Sequence, residues 1–474
     1  MAPFSNVLAK ASRDNAMCSH GMMIGRTRRG WVAWALLLGV TAVPVRAQTP
    51  DPHGPDAHGP GGPSAGEPVP EGGHHAGPVP ASPSGLQIPA GQEGSGTGWL
   101  PASSPMLGHG LERGPWRVML HYNAFAGINR SGSRQGGTEG VTVNWLMGMA
   151  QRDLGGGSLS LRSMISLEPL LLKREGYPLL LQTGETAGGE PLVDRQHPHE
   201  LFMEIGLRYR RPLTPQLGLE VYAAASGEPA LGPVAFPHRP SAADDPFAPL
   251  SHHWLDSTHI SFGVVTLGLF TSRIKVEGSW FNGREPDEHR NDFDLRTPDS
   301  YAGRVTLNPS ADWSLQASYG RLNEPEALEP GVDVQRLTAS AIYNRRLSGG
   351  NWASTLAWGR NEAEGDAAGD AVLLESTVSF SRNAVFARIE YVRKSGHDFA
   401  LGGGLDHETL PVRGLSAGYS RQVFNSARTV VAVGGRAFVG IVNDLLEEHR
   451  YGTGTPASGS IFIQIRPAEA HHAH

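Results

Sequence analysis

A succession of short segments that alternate apolar and polar residues, from Trp116 to Pro467, constrains this chain more than any other feature. Side chains of a strand point to its two faces in turn, so period two marks a strand with one apolar and one polar face. In Leu201–Tyr209 the odd positions are apolar while Glu204 and Arg208 share the other face. Lys275 and Glu277 alternate with Ile274, Val276 and Trp280, and Arg388 and Glu390 stand opposite Val385, Ile389 and Tyr391. Ile461–Arg466 repeats the theme with Gln464 and Arg466.

Sixteen such segments begin near Trp116, Val141, Leu159, Leu201, Leu219, His259, Ile274, Tyr301, Trp313, Arg336, Trp352, Val372, Val385, Leu415, Thr429 and Ser460. Short connections, such as 153–157, 271–273 and 347–350, take turns with long ones at 130–140, 169–200, 226–258, 282–300, 323–334, 361–370, 394–413 and 443–455. A soluble sandwich also alternates apolar and polar faces, but nothing obliges it to keep short and long connections in turn. An even strand number with short turns at one end and long loops at the other is the layout of a membrane barrel. The expected fold is all-β: a transmembrane antiparallel β-barrel of about 16 strands over residues 116–467. Aromatic residues near strand ends, among them Tyr209, Tyr301, Trp313, Tyr319, Tyr343, Trp352, Trp358, Tyr391 and Tyr419, fit interfacial girdles.

The flanks agree with that reading. Arg26, Arg28 and Arg29 precede an apolar run from Trp31 to Val45, and Val45-Arg46-Ala47 offers small residues at the −3 and −1 positions of a cleavage site. Residues 1–47 therefore read as a secretory signal peptide. Its removal takes six basic residues and one acid, so the charge moves from −6 to −11 and nucleic acid is excluded as a partner. The sole cysteine, Cys18, leaves with it, so disulfides cannot hold the remainder. Residues 48–98, rich in Pro, Gly and Ala with His53, His58, His74 and His75, read as a disordered periplasmic linker. Residues 99–115 lead into the barrel, and 468–474 form a His-rich tail. The expected location is the outer membrane, in contact with its lipid, with both termini periplasmic.

With apolar residues facing lipid, the lumen would carry Arg162, Glu204, Arg208, Arg210, Glu220, Lys275, Glu277, Arg304, Arg336, Glu375, Arg388, Glu390 and Arg436. Such charges either line a water-filled pore narrowed by their pairing or join a network that, with loops, blocks it. The segment starting at His259 is read with Ile260, Phe262 and Val264 toward lipid, which turns His259 inward. His197, His199, His238, His252, His253 and His259 fall on neighbouring long loops beside many carboxylates, a donor set suited to a divalent metal such as Zn or Cu. Histidines that merely pack the loops together are the alternative.

Gln182–Thr186, Pro191–Glu200, Gly227–Phe236, His252-His-Trp, Thr258–Gly263 and Phe281–Asp287 resemble signature segments of a family of uncharacterised proteobacterial outer-membrane proteins. The resemblance runs from about Gly96 to Pro467. It implies a porin-like barrel, in a family often met near heavy-metal efflux and copper-resistance genes. The chain is more loosely similar to copper resistance protein B, which joins a metal-binding amino-terminal stretch to a barrel. The expected function is passage of a small solute or metal ion across the outer membrane. A closed barrel that binds or buffers divalent metal is the alternative, and no nucleophile–base spacing supports an enzyme.

Overall fold

The computed structural model describes residue 86 and residues 88–132, 137–363 and 367–469. The expected signal peptide, most of the expected linker and the tail histidines lie outside the described residues. Sixteen antiparallel strands form the barrel: β1 (Trp116–Gly132), β2 (Thr138–Leu154), β3 (Gly157–Ile165), β4 (Phe202–Pro212), β5 (Gly218–Gly227), β6 (Ser261–Phe270), β7 (Ile274–Asn282) and β8 (Ser300–Ser310). They continue as β9 (Trp313–Leu322), β10 (Val334–Leu347), β11 (Gly350–Ala363), β12 (Gly369–Phe380), β13 (Asn383–Ser395), β14 (Thr409–Asn425), β15 (Thr429–Ile441) and β16 (Ala457–Pro467). Each pairs with its sequence neighbours, and β1 closes on β16 from Ala124↔Ile465 to Gly132↔Ala457. Closure gives each of the sixteen barrel strands a neighbour on both sides, the condition for a sheet to stand in hydrocarbon.

The outward face is apolar: Leu161, Leu207, Val276, Val305, Leu356, Leu374, Ile389 and Ile463 are all exposed. At the short-turn rim Trp313, Tyr343 and Trp352 pack ring against ring, with centroids 4.9 and 5.2 Å apart. Near the long-loop end Trp280 and Tyr301 stand side by side on β7 and β8 and are exposed. The two aromatic levels bracket the apolar band, where amphipathic rings prefer to sit.

One strand departs from the expected phase. Ile260, Phe262 and Val264 are buried inside the barrel, while Val265, Leu267 and Leu269 are exposed. The pairing of β6 with β7 slips between Phe262 and Val265, around Gly263 at φ +62°. The slip does not change the phase: Thr266 and Phe270 continue the inward row of Phe262 and Val264, and apolar side chains face inward at this end because the filled lumen packs Ile260 near Met203 and Val264 near Leu231 and Phe281. A second bulge, where β3 meets β4, buries Met203 as well as Glu204.

The barrel is filled. The long loop 228–260 folds down into the lumen with Leu231, Phe236, Phe247, Leu250, Trp254 and Leu255 buried. Residues 89–104 enter from the short-turn end and pack in the lumen, whereas the composition placed residues up to 98 in the linker. Trp99 and Leu100 are buried, and Asn308 and Ser314 on the wall donate hydrogen bonds to the Leu100 and Trp99 carbonyls at 2.8 and 3.0 Å. The two inserts meet where the Ala235 amide donates to Ser95 Oγ at 2.9 Å.

Candidate functional site

The inward charges of the wall come in pairs held by neighbouring strands. Arg162 lies 2.8 Å from Glu204, Arg304 2.9 Å from Glu277, and Arg388 3.0 Å from Glu375. Lys275 bridges Glu220 at 3.2 Å and Glu277 at 3.4 Å. Adjacent strands put opposed residues about 5 Å apart, so long side chains on one face meet without a bend in the backbone. Arg336 donates instead to Asn361 and to Ser257 of the inserted loop.

The remaining valences go to the inserts. Arg208 and Arg210 both grip Glu93, which holds its carboxyl well below the usual range although burial works the other way. Arg239 of the loop insert joins Asp256 at 2.5 Å to wall residue Glu375 at 2.7 Å. Asp245 takes Arg436 at 3.1 Å and Arg388 at 3.4 Å, and Glu390 accepts from the Ser251 amide and hydroxyl. Water-filled walls would be open to solvent; here Arg304 and Glu375 are 2 % and 1 % exposed. The inward charges are thus paired with one another and packed against the inserts.

At the long-loop end five of the six candidate histidines converge, and most have protein partners. His199 Nδ1 lies 3.0 Å from Glu168, His197 Nε2 2.5 Å from Glu185, and His252 Nδ1 2.8 Å from Asp256. His259 Nδ1 meets the Asp256 carbonyl at 2.8 Å, and His253 stands between Glu185 and Glu285. His238 stands apart, deeper in the lumen, with Nε2 3.4 Å from Met164 Sδ and its ring 4.8 Å from that of Trp145. A small cavity of about 30 Å³ between these loops is bordered by Glu185, His197, His199, His252, His259 and Glu285.

Proton affinities in this cluster diverge. Burial, reinforced by Arg290, pushes His197 down despite Glu185, and burial also outweighs Asp256 in lowering His252. Burial plus the neighbouring His252 and His199 holds His259 well below the usual value. For His199 burial is the largest influence but loses to the Glu168 carboxylate, so its pKa rises. His253 is raised well above the ordinary value, Glu285 and Glu185 together outweighing burial.

Glu93, Glu168, Glu185, Arg239 and Asp245 belong to these networks but were not among the expected site residues. Only Glu185, inside the string Gln182–Thr186, carried a sequence signal. The others are ordinary loop charges until the closed wall brings them together.

No family model matches the chain, and no curated protein matches it. Among solved structures, an anion-selective porin from Comamonas acidovorans is similar at a TM-score of 0.48 and 11% identity, over 74% of this chain and 99% of that one. OmpF of Salmonella typhi aligns at 0.48 and 10% over 75% and 100%. The outer-membrane channel DcaP of Acinetobacter baumannii aligns at 0.43 and 7% over 76% and 100%. The barrel itself stands on the strand pairing described above.

Proposed function

We propose that the chain is a porin-like channel of the outer membrane, closed in the described state, that passes small solutes when residues 89–104 withdraw. The signal-peptide pattern, the apolar belt and the closed sheet support the location, with the short turns periplasmic and the long loops outside. We read it as a conduit and not as an enzyme.

The observation that carries the reading is the charge balance between wall and inserts. Among the described residues, the buried charges on the strands are eight basic (Arg162, Arg208, Lys275, Arg304, Arg336, Arg388, Lys394, Arg436) and five acidic (Glu204, Glu220, Glu277, Glu375, Glu390). The inserts bring Glu93, Glu228, Asp244, Asp245 and Asp256 against the single Arg239. Of the insert acids only Glu93 leaves with residues 89–104, and its removal would leave Arg208 and Arg210 sharing Glu220, a locally positive patch of wall that a low-dielectric lumen turns toward anions. The solute class this favours is small and anionic. Planar-bilayer recording tests it. Brief openings whose reversal potential in a KCl gradient reports anion preference are expected; permanent silence, or cation preference, would defeat the reading.

A second reading, a barrel that holds divalent metal at its outer loops, is favoured by the five converging histidines.

A further inference from the structure

We infer that His253, Glu285 and Glu326 form a binding site for one divalent transition-metal cation at the long-loop end. This ligand set narrows the second reading above to one locus and does not depend on whether the barrel conducts. The three residues come from the loops after β5, β7 and β9, yet one donor atom of each lies within 4.8 Å of the others.

His253 is the anchor. It is 5 % exposed, and Gly184 passes so close that a Cβ there would sit 3.0 Å from Nδ1. Nε2 faces Glu185 at 3.1 Å and Nδ1 faces Glu285 at 3.5 Å, but neither nitrogen completes a hydrogen bond of good geometry. A buried ring held between carboxylates without a good hydrogen bond is unfavourable, and a dication can take the place of the proton that those carboxylates otherwise keep on it. Glu285 and Glu326 place two carboxylates beside this ring, and among the described residues no hydrogen bond or ion pair reaches the Glu326 carboxylate. Arg336 is near, but its hydrogen bonds go to Asn361 and Ser257.

A dication between Nδ1 and the two carboxylates relieves their mutual repulsion and satisfies the imidazole at once. One nitrogen with two carboxylate oxygens is a donor set for Zn, Mn, Fe or Co; an all-oxygen site would suit Ca or Mg. Glu185 lies at the opposite nitrogen, where a carboxylate orients a ligating ring and fixes its tautomer. Because Glu185 also holds His197, one ion would tie together the loops after β3, β5, β7 and β9. Asp287, Asp292 and Asp294 also cluster, but they offer no imidazole and are largely exposed.

The test is a Co(II) titration of the full-length mature protein, purified in detergent and stripped with chelator. One equivalent is expected to bind with a visible d–d absorption band that Zn(II) abolishes. Glu326→Gln and Glu285→Gln should each weaken that binding by at least about tenfold. Asp287→Asn should leave it unchanged, and heat-modifiable gel mobility checks that every variant is folded. Histidines of the linker and tail contribute alike to all of these proteins. The inference is overturned if folded Glu326→Gln and Glu285→Gln bind Co(II) like the parent, or if the parent shows no d–d band at all.

Discussion

The two segments that fill the barrel are held by different physics. Residues 228–260 are joined to the wall at both ends, by β5 and β6, and bury Leu231, Phe236, Phe247, Leu250, Trp254 and Leu255. At about 1.5–3 kcal/mol for each large apolar side chain, that alone is on the order of 10 kcal/mol. Residues 89–104 are joined to the barrel on one side only and bury just two large apolar side chains, Trp99 and Leu100. The rest of their hold is polar: Glu93 on Arg208 and Arg210, and wall groups on the Thr97, Trp99 and Leu100 carbonyls. Polar contacts exchange with water at small net cost, whereas apolar burial does not. One insert is held as part of the core, and the other by contacts that water can replace.

The sharpest way to break that contrast is at Arg239, fully buried between Asp256 and Glu375. Arg239→Met should leave both carboxylates uncompensated and cost about 3–5 kcal/mol. The expected outcome is a clear fall in the temperature at which the barrel loses its heat-modifiable mobility. An unchanged temperature would mean that the loop insert is no more integral than the amino-terminal one.

A smaller effect on stability, but a larger one on conductance, is expected from Glu93→Gln. The neutral amide keeps the shape and loses two charge-assisted contacts, on the order of 2 kcal/mol. Openings in a planar bilayer should become several-fold more frequent while the unfolding temperature moves little. Unchanged gating would show that loop 228–260 closes the lumen by itself.

Sequence alternation revealed the wall because burial on a closed sheet follows period two: Lys275 and Glu277 go inward and Val276 outward as patterned. It misplaced Ile260, Phe262 and Val264 because an apolar side chain can face either lipid or a packed lumen, and the inserted loop that receives Val264 through Leu231 is not visible in the strand's own pattern. The filling of the lumen was beyond local pattern. A loop enters a barrel only if its charges find partners there, and Asp245 meets Arg388 and Arg436 through closure, not through sequence proximity. Glu93 was hidden for a related reason: the composition of residues 48–98 argues for disorder, and only the two arginines of β4 overrule it. The histidines were legible as a group, but which of them is left with unsatisfied nitrogens was not, since that depends on Glu168, Glu185 and Asp256.

The subtlest difference between the two ends should appear with pH. Arg208 and Arg210, against the effect of burial, hold the Glu93 carboxyl well below the unfolded value of 4.5. Its contribution is then complete above pH 4.5 and fades only in acid below that, so the Glu93→Gln deficit should stay flat from pH 5 to pH 8. At the loop end the ordinary histidine value of 6.5 lies within that window, and the folded histidines depart from it in opposite senses. His199, raised above 6.5 by Glu168 in spite of burial, contributes fully below pH 6.5 and loses its contribution as pH rises through the folded value. His252, lowered by burial, prefers to be neutral in the fold and so costs stability as pH falls below 6.5. The stability difference between the parent and His199→Gln should therefore shrink as pH rises above 6.5, and that between the parent and His252→Gln should move in the parent's favour as pH rises toward 6.5. Unfolding temperatures in detergent at half-unit intervals measure both. Parallel slopes for the two histidine variants would contradict the assigned partners, and a sloping Glu93→Gln deficit would place a titrating group at the amino-terminal insert where none is expected.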